Sequence, residues 1–280
     1  MKLIPISFDS MGVRSMATYV ETEDVKILID PGAALGPRRY GLPPAKEEYE
    51  ELEIARSKIR DYALQSDVLT ISHYHYDHHD PDADFYDGKV VYAKDRLKSI
   101  NRSQKERGKY FEDRVKGRCE LIYADGREFF HGDTVLRFSP PFPHGNERTR
   151  LGYVIMLSVE RKGEKILHAS DVSGPVYDKA ADYIIEENPD VVIIDGPATI
   201  FLGWKMSYKD LERAEDNLLR IIRETDAHII LDHHLLRDLK YRERLKRVYE
   251  KGVVESAAEY LGMENRMLEA MRKELWKGKI

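Results

Sequence analysis

Four of the ten histidines in this chain fall between positions 73 and 79, and carboxylates stand among them. The stretch reads Ser72-His73-Tyr74-His75-Tyr76-Asp77-His78-His79-Asp80, which contains the spacing His-x-His-x-Asp-His. Imidazole and carboxylate are the ligand types that suit zinc and other borderline divalent cations. Crowding this many titratable groups together without a metal would be electrostatically costly. The chemistry expected of the segment is hydrolysis, because a bound cation polarises a substrate oxygen and lowers the pKa of bound water towards 7.

Three further candidate positions lie downstream, each at a strand end or in a loop. His144 sits in the proline-rich stretch Pro140-Pro141-Phe142-Pro143-His144-Gly145, Asp171 ends the run Ile166-Leu167-His168-Ala169-Ser170, and His233 and His234 follow Ile229-Ile230-Leu231-Asp232. Loops held by rigid strands are where catalytic groups concentrate. His131, His168 and His228 have no such context and are expected to be structural. His79 and Asp80 are expected either to orient metal ligands or to cap a following helix.

The elements that must position these residues are visible as apolar runs. Residues 1–30 read as strands, with Val25-Lys26-Ile27-Leu28-Ile29-Asp30 ending in an Asp-Pro-Gly turn. Residues 43–65 read as a helix with an acidic first turn, and residues 67–72 as the buried strand that carries the histidine motif. Residues 94–116 read as a solvated helical excursion with many basic side chains, Lys94 among them. Residues 151–159 and 165–169 read as a hairpin. Strands at 191–194 and 227–231 alternate with helices at 176–188 and 207–224, and residues 238–276 read as mostly helical. This order suggests sheets covered by helices in one domain spanning 1–280.

Composition narrows the rest. The chain has 280 residues, of which 42% are apolar, enough for a sizeable core. A net charge of −5 gives no support to a broad nucleic-acid surface, so RNA or DNA rests only on the basic 94–116 stretch. The single cysteine, Cys119, excludes an internal disulfide and a thiolate metal site, and points to a reducing cytoplasm. No apolar run reaches the ~18 residues of a membrane span, and no membrane partner is expected. The excess of Glu, Lys and Arg is thermophile-like.

Taken in order, these segments resemble the metallo-β-lactamase superfamily, and within it an archaeal group of metal-dependent hydrolases. The first motif is complete, the later ligands follow in the order His, Asp, His, and Leu28-Ile29-Asp30-Pro31-Gly32 looks like the superfamily's early strand and turn. The resemblance implies an α+β fold, an αββα sandwich of two sheets flanked by helices, with a dinuclear site on one edge. It implies that His73, His75 and His144 hold one metal, that Asp77, His78 and His233 hold the second, and that Asp171 bridges. His233 is chosen over His234 because the family's last ligand starts the loop directly after its strand. Zn2+ is the expected metal, with Mn2+ or Fe2+ as alternatives; oxygen-activating di-iron relatives usually carry Glu where His75 stands. Two such ions, less two carboxylates and a bridging hydroxide, leave a positive centre that suits an anionic ester.

Asp77 is the expected proton acceptor. Arg14, Lys205 and Arg237 are the candidate substrate contacts, Arg14 as a bidentate clamp on a phosphate or carboxylate and Arg237 by likeness to nuclease-like members. The segment Asp195-Gly196-Pro197-Ala198-Thr199 resembles the place where ribonuclease Z carries Glu-Ala-Thr and a nearby catalytic histidine. Here Asp195 stands for the glutamate, and no histidine follows before His228. The expected activity is hydrolysis of a small-molecule or extended phosphodiester. The alternatives are a carboxylic ester, thioester or lactone hydrolase, and a metal-stabilised binding or sensing protein with little turnover.

Overall fold

Two β-sheets lie face to face with helices on both outer sides, in a computed structural model that describes residues 1–278. The first sheet is built in chain order from β1 (Lys2–Phe8), β2 (Met16–Glu21), β3 (Lys26–Ile29), β4 (Val68–Ile71), β5 (Val90–Ala93) and β6 (Glu120–Tyr123). Next along the chain come β7 (Glu128–His131), β8 (Thr134–Phe138), β9 (Phe142–Pro143), β10 (Tyr153–Val154), β11 (Leu157–Arg161), β12 (Glu164–Ser170), β13 (Val191–Asp195), β14 (His228–Asp232) and β15 (Val254–Glu255). Seven of these form the second sheet in the order β15-β14-β13-β12-β11-β8-β7, while β9 and β10 pair separately. Helices α1 (Lys46–Gln65) and α2 (Arg102–Val115) belong to the first sheet, and α3 (Asp178–Glu187) and α4 (Tyr208–Glu224) to the second.

The central strands bury both faces, and alternation decides which neighbour each side chain meets. Leu28 and Leu69 face Leu52, Ile59 and Phe111 under α1 and α2. Their neighbours Ile27, Ile29 and Val68 point the other way, to meet Leu157, Val159, Ile193 and Ile230 of the second sheet. Val192, Ile194, Ile229 and Leu231 then face Ile184, Leu218 and Ile221 of α3 and α4. The αββα sandwich follows from this three-layer core. Pro5 sits in β1, where an edge position and a register shift spare it from donating a ladder hydrogen bond.

The helical crossovers matter most for the site. α1 joins the parallel pair β3 and β4, α3 joins β12 and β13, and α4 joins β13 and β14. The C-terminal ends of β3 and β4 in one sheet, and of β12, β13 and β14 in the other, therefore open into loops along one edge. The connection from β4 to β5 has no helix and carries the histidine motif instead. So nothing follows His79 for Asp80 to cap; residues 80–88 are turns and bends.

Three expectations about elements are corrected. Residues 151–159 do not form one hairpin arm: β10 pairs with β9, and only β11 pairs with β12 through a tight turn at Lys162-Gly163, both in the left-handed region. Residues 238–276 hold only short helices, Tyr241–Arg244, Lys246–Tyr249, Ala257–Tyr260 and Arg272–Trp276, and the strand β15. Long-range ion pairs fix this segment. Arg272 and Glu48 are both fully buried and joined at 2.7 and 2.8 Å, and truncating one partner of such a pair costs about 3–5 kcal/mol. Lys94 is fully buried against Asp125 at 2.6 Å and does not belong to the solvated face.

Glu269 ties the same segment to Arg14 through two bonds of 2.6 and 2.7 Å. Burial pushes its carboxyl up, but Arg14 and Arg237 outweigh burial and hold it down at about 2, from an ordinary value of 4.5. The tie is complete above pH 4.5 and is lost as pH falls through 2. Acid titration of Trp276 fluorescence in a W204F variant should show the C-terminal segment loosening in that window, and Glu269→Gln should loosen it already at pH 7.

Candidate metal centre

The structure brings the motif and its distant candidates to one buried point on the loop edge. Asp171 stands at the centre, just past β12, reached through Ser170 in the left-handed region. Its Oδ2 lies 3.0 Å from His144 Nε2 and 3.6 Å from His73 Nε2. Its Oδ1 lies 3.2 Å from His78 Nε2 and 3.6 Å from His233 Nε2. His75 Nδ1 is 2.9 Å from His73 Nε2, and Asp77 Oδ2 is 3.6 Å from His233 Nε2. Two groups of ligand atoms result, each close enough to share one ion: His73, His75, His144 and Asp171, then Asp77, His78 and His233.

Buried carboxylates aim the rings. Asp30, in the left-handed region after β3, accepts bonds from Ser72 N, Ser72 Oγ and His78 Nδ1 at 2.6–2.8 Å. The turn that places Asp30 requires Gly32, since a Cβ there would lie 2.2 Å from the backbone nitrogen of His79. Asp9, just past β1, accepts from His233 Nδ1 and Arg237 Nε, both at 2.7 Å. Asp232 accepts from the backbone N–H groups of Ser10, His233 and Ala257, which fixes the left-handed turn at His233. His79 is buried and donates to the His75 carbonyl at 2.9 Å, bracing the motif loop.

The electrostatics suit a cation. Burial, then the charges of His78 and His75, holds His73 well below the ordinary histidine value, and burial drives His75 down to about 3. Burial opposes charge on His78 and His233 too, but Asp171 outweighs it at both. Asp30 helps to raise His78 well above its ordinary value, and Asp9 helps to raise His233 to about 9. His78, His233 and Arg237 overcome burial at Asp77 and keep its carboxyl below the usual range. His78 Nε2 and Asp171 Oδ1 are buried and, though 3.2 Å apart, neither has a well-aligned hydrogen-bond partner. Buried polar atoms are seldom left so, and this donor set of imidazole and carboxylate fits a divalent ion.

The candidate substrate contacts fare differently. Arg14 does not stand free as a clamp, because Glu269 occupies its fork. Arg237 is buried beside the cluster, with Nη2 3.2 Å from His233 Nε2 and 3.7 Å from Asp77, so it acts on these two side chains and is not exposed to a ligand. Lys205 is exposed and lines a cavity of about 640 Å3 that begins at His144 and His234. The basic 94–116 stretch is largely neutralised in place by pairs such as Arg96–Glu112, Arg102–Glu106 and Lys109–Asp113.

Two residues enter that the motif did not assign. His234 Nδ1 lies 2.8 Å from Asp195 Oδ2 at the end of β13, and His234 groups with Asp171 and His233. Burial and Asp171 push the Asp195 carboxyl well up, while burial, Arg237 and His233 push His234 well down. Asp195 and His234 therefore share one buried hydrogen bond, and His234 also lines the adjoining cavity. The sequence signal for Asp9, Asp195 and Asp232, as for Asp30, is an aspartate closing an apolar strand. The remaining histidines are structural: His131 meets Tyr92, His168 the Met16 carbonyl and His228 Glu255.

This sandwich with a histidine and aspartate cluster on its loop edge defines a metallo-β-lactamase fold. Residues 14–203 match the β-lactamase superfamily domain. The chain is 48% identical to the UPF0282 protein of Methanopyrus kandleri, over 98% of this chain and 99% of that one. It thus belongs to the UPF0282 family of the β-lactamase superfamily. Among solved structures it resembles an isothiocyanate hydrolase from Delia radicum gut bacteria, with a TM-score of 0.56 and 17% identity over 88% of this chain and 94% of that one. It also resembles zinc-bound PqqB from Methylobacterium extorquens, with a TM-score of 0.54 and 10% identity over 91% and 98% of the two chains. These two likenesses are of fold.

Partners that orient ligand rings are typically worth about 10–100-fold in metal affinity. Asp9→Ala should weaken zinc binding by about that factor in a chelator competition, with the circular dichroism spectrum unchanged. Asp9→Asn, which keeps an acceptor for His233 Nδ1, should recover part of the loss.

Proposed function

We propose that the chain is a metal-dependent hydrolase of anionic esters, with phosphodiesters favoured, and that two divalent ions, Zn2+ first, complete its centre. The observation that carries this reading is the placement of Asp171, whose two oxygens face two separate groups of ligand atoms. His73, His75 and His144 would hold one ion and Asp77, His78 and His233 the other, with Asp171 shared. When bound, the ions would supply a Lewis acid and activate water near neutral pH.

The chain's own residues supply the rest. Asp77 is the carboxylate of the cluster least enclosed, its side chain 17% exposed against 1% for Asp171. Against burial, His78, His233 and Arg237 hold it ionised, and the role proposed for it is to orient water and take its proton. His234, held by Asp195, stands between the cluster and the cavity, where a substrate would pass. A positive centre favours an anionic ester over a neutral one.

The protein reconstituted with zinc should bind two ions per chain by elemental analysis and cleave bis(p-nitrophenyl) phosphate. Asp77→Ala should lower kcat by about a hundredfold or more. Turnover of thioesters or lactones with none of the phosphodiester would move the assignment to carboxylic esters. Loss of metal together with unchanged turnover in Asp77→Ala would overturn the metal-dependent reading altogether.

A further inference from the structure

The cavity beside the cluster combines cationic and apolar side chains. It holds about 640 Å3 and runs from His144 and His234 between two loops, one carrying Arg148 and Arg150, the other Phe201 and Lys205. Its floor is apolar, formed by Val176, Ala198 and Met206. The chain as a whole is acidic, at −5, and most of its arginines are paired with carboxylates. Among the described residues, no carboxylate forms an ion pair with Arg148, Arg150 or Lys205. The only acid on the wall, Asp210, is already engaged by Ser207 Oγ at 2.7 Å and by Asn146 Nδ2 at 3.4 Å.

The Phe201 loop adds flat surfaces. Phe201 and Trp204 meet edge to face at 5.8 Å, and Lys205 Nζ lies 4.5 Å from the Trp204 ring centre. Phe201 lines the cavity, while Trp204, 74% exposed, and Tyr208, 70% exposed, stand close by in the chain but outside its wall. Large aromatic rings held out to water beside cations that no carboxylate neutralises are a costly way to build a mere surface turn. Aromatic faces with cations alongside are the combination that accepts a base and a phosphate together.

From this arrangement we infer that the cavity is the pocket for the non-reacting half of the substrate, and that this half is a nucleoside monophosphate group. The base lies against Phe201, whose ring meets Trp204 on its outer side, and its phosphate is held by Arg148, Arg150 and Lys205. Guanidinium groups suit this task because they present paired donors to phosphate oxygens. The inference rests on the histidine and aspartate cluster being the hydrolytic centre, since the pocket then delivers the ester to it from the His144 and His234 side.

The test uses full-length zinc-loaded protein carrying Trp276→Phe, so that Trp204 is the sole tryptophan reporter. Titration with 5′-AMP, adenosine and inorganic phosphate separates the base from the anion. 5′-AMP should change Trp204 fluorescence with an affinity about tenfold or more tighter than adenosine. A joint Arg148→Ala and Arg150→Ala variant should bring 5′-AMP down to the adenosine value, with zinc content unchanged. Equal affinities for 5′-AMP and adenosine, or no response of Trp204 to either, would overturn the assignment. So would 5′-AMP binding that survives the double variant and disappears on zinc removal, because the metals alone would then be holding the phosphate. A ten-residue oligoadenylate binding about tenfold tighter than 5′-AMP would identify the source as a strand end, and equal binding a free nucleotide. Either result supports the pocket. Because fluorescence reads binding alone, 5′-AMP binding without turnover of bis(p-nitrophenyl) phosphate would sink the phosphodiesterase reading and leave the pocket standing. Turnover without 5′-AMP binding would do the reverse.

Discussion

Everything at the loop edge depends on one buried carboxylate. Asp171 is 1% exposed and sits among four imidazoles, two on each of its oxygens. A lone carboxylate in such a place would be driven to protonate by desolvation. Here the surrounding charge wins, and Asp171 stays well below the ordinary carboxylate range. The cost of removing it from water is offset chiefly by His78 and His233 beside Oδ1, which the neighbouring loops must deliver.

The two sheets divide that delivery. The first sheet contributes Asp30 and the motif loop, and the second contributes Asp171, Asp195 and the turn at His233. Neither sheet holds a complete set, so packing one upon the other assembles the centre. Backbone contact across the interface helps to lock it, as where Ile155 N donates to the Ser72 carbonyl at 3.1 Å. Asp9 and Arg237 add a further tie, because the N-terminal turn and the segment after β14 meet at His233. Stability and site geometry are therefore coupled through the same buried ion pairs.

The fold was largely legible because continuous apolar runs mark its central strands. Val68 to Ile71 and Val191 to Ile194 are apolar on both faces, which only a doubly covered strand allows. The helices α1, α3 and α4 were legible as runs between strands, α1 by its charged, helix-favouring residues and acidic first turn. Residues 238–276 misled for a physical reason. Helix-favouring side chains such as Glu243, Arg247 and Lys251 set a weak local preference, while Arg272 to Glu48, Glu269 to Arg14 and the positive-φ turns at Gly252 and Gly262 set the actual path.

Sequence alone determined the ligand types, their spacing within the motif and the strand ends that carry them, because those depend on neighbours a few residues apart. It also brought Arg14, Lys205 and Arg237 forward as cations near the edge, without assigning their partners. Only the tertiary structure decided that Glu269 takes Arg14, that Asp9 takes Arg237, and that Lys205 alone of the three faces an open cavity. It likewise set His233 beside Asp77 and His78, and His234 Nδ1 on Asp195 with His234 also grouped beside Asp171 and His233. Adjacent histidines are indistinguishable by spacing. The left-handed turn at His233, held by Asp232, sends their two rings to different partners, and that turn exists only because distant backbone groups meet there.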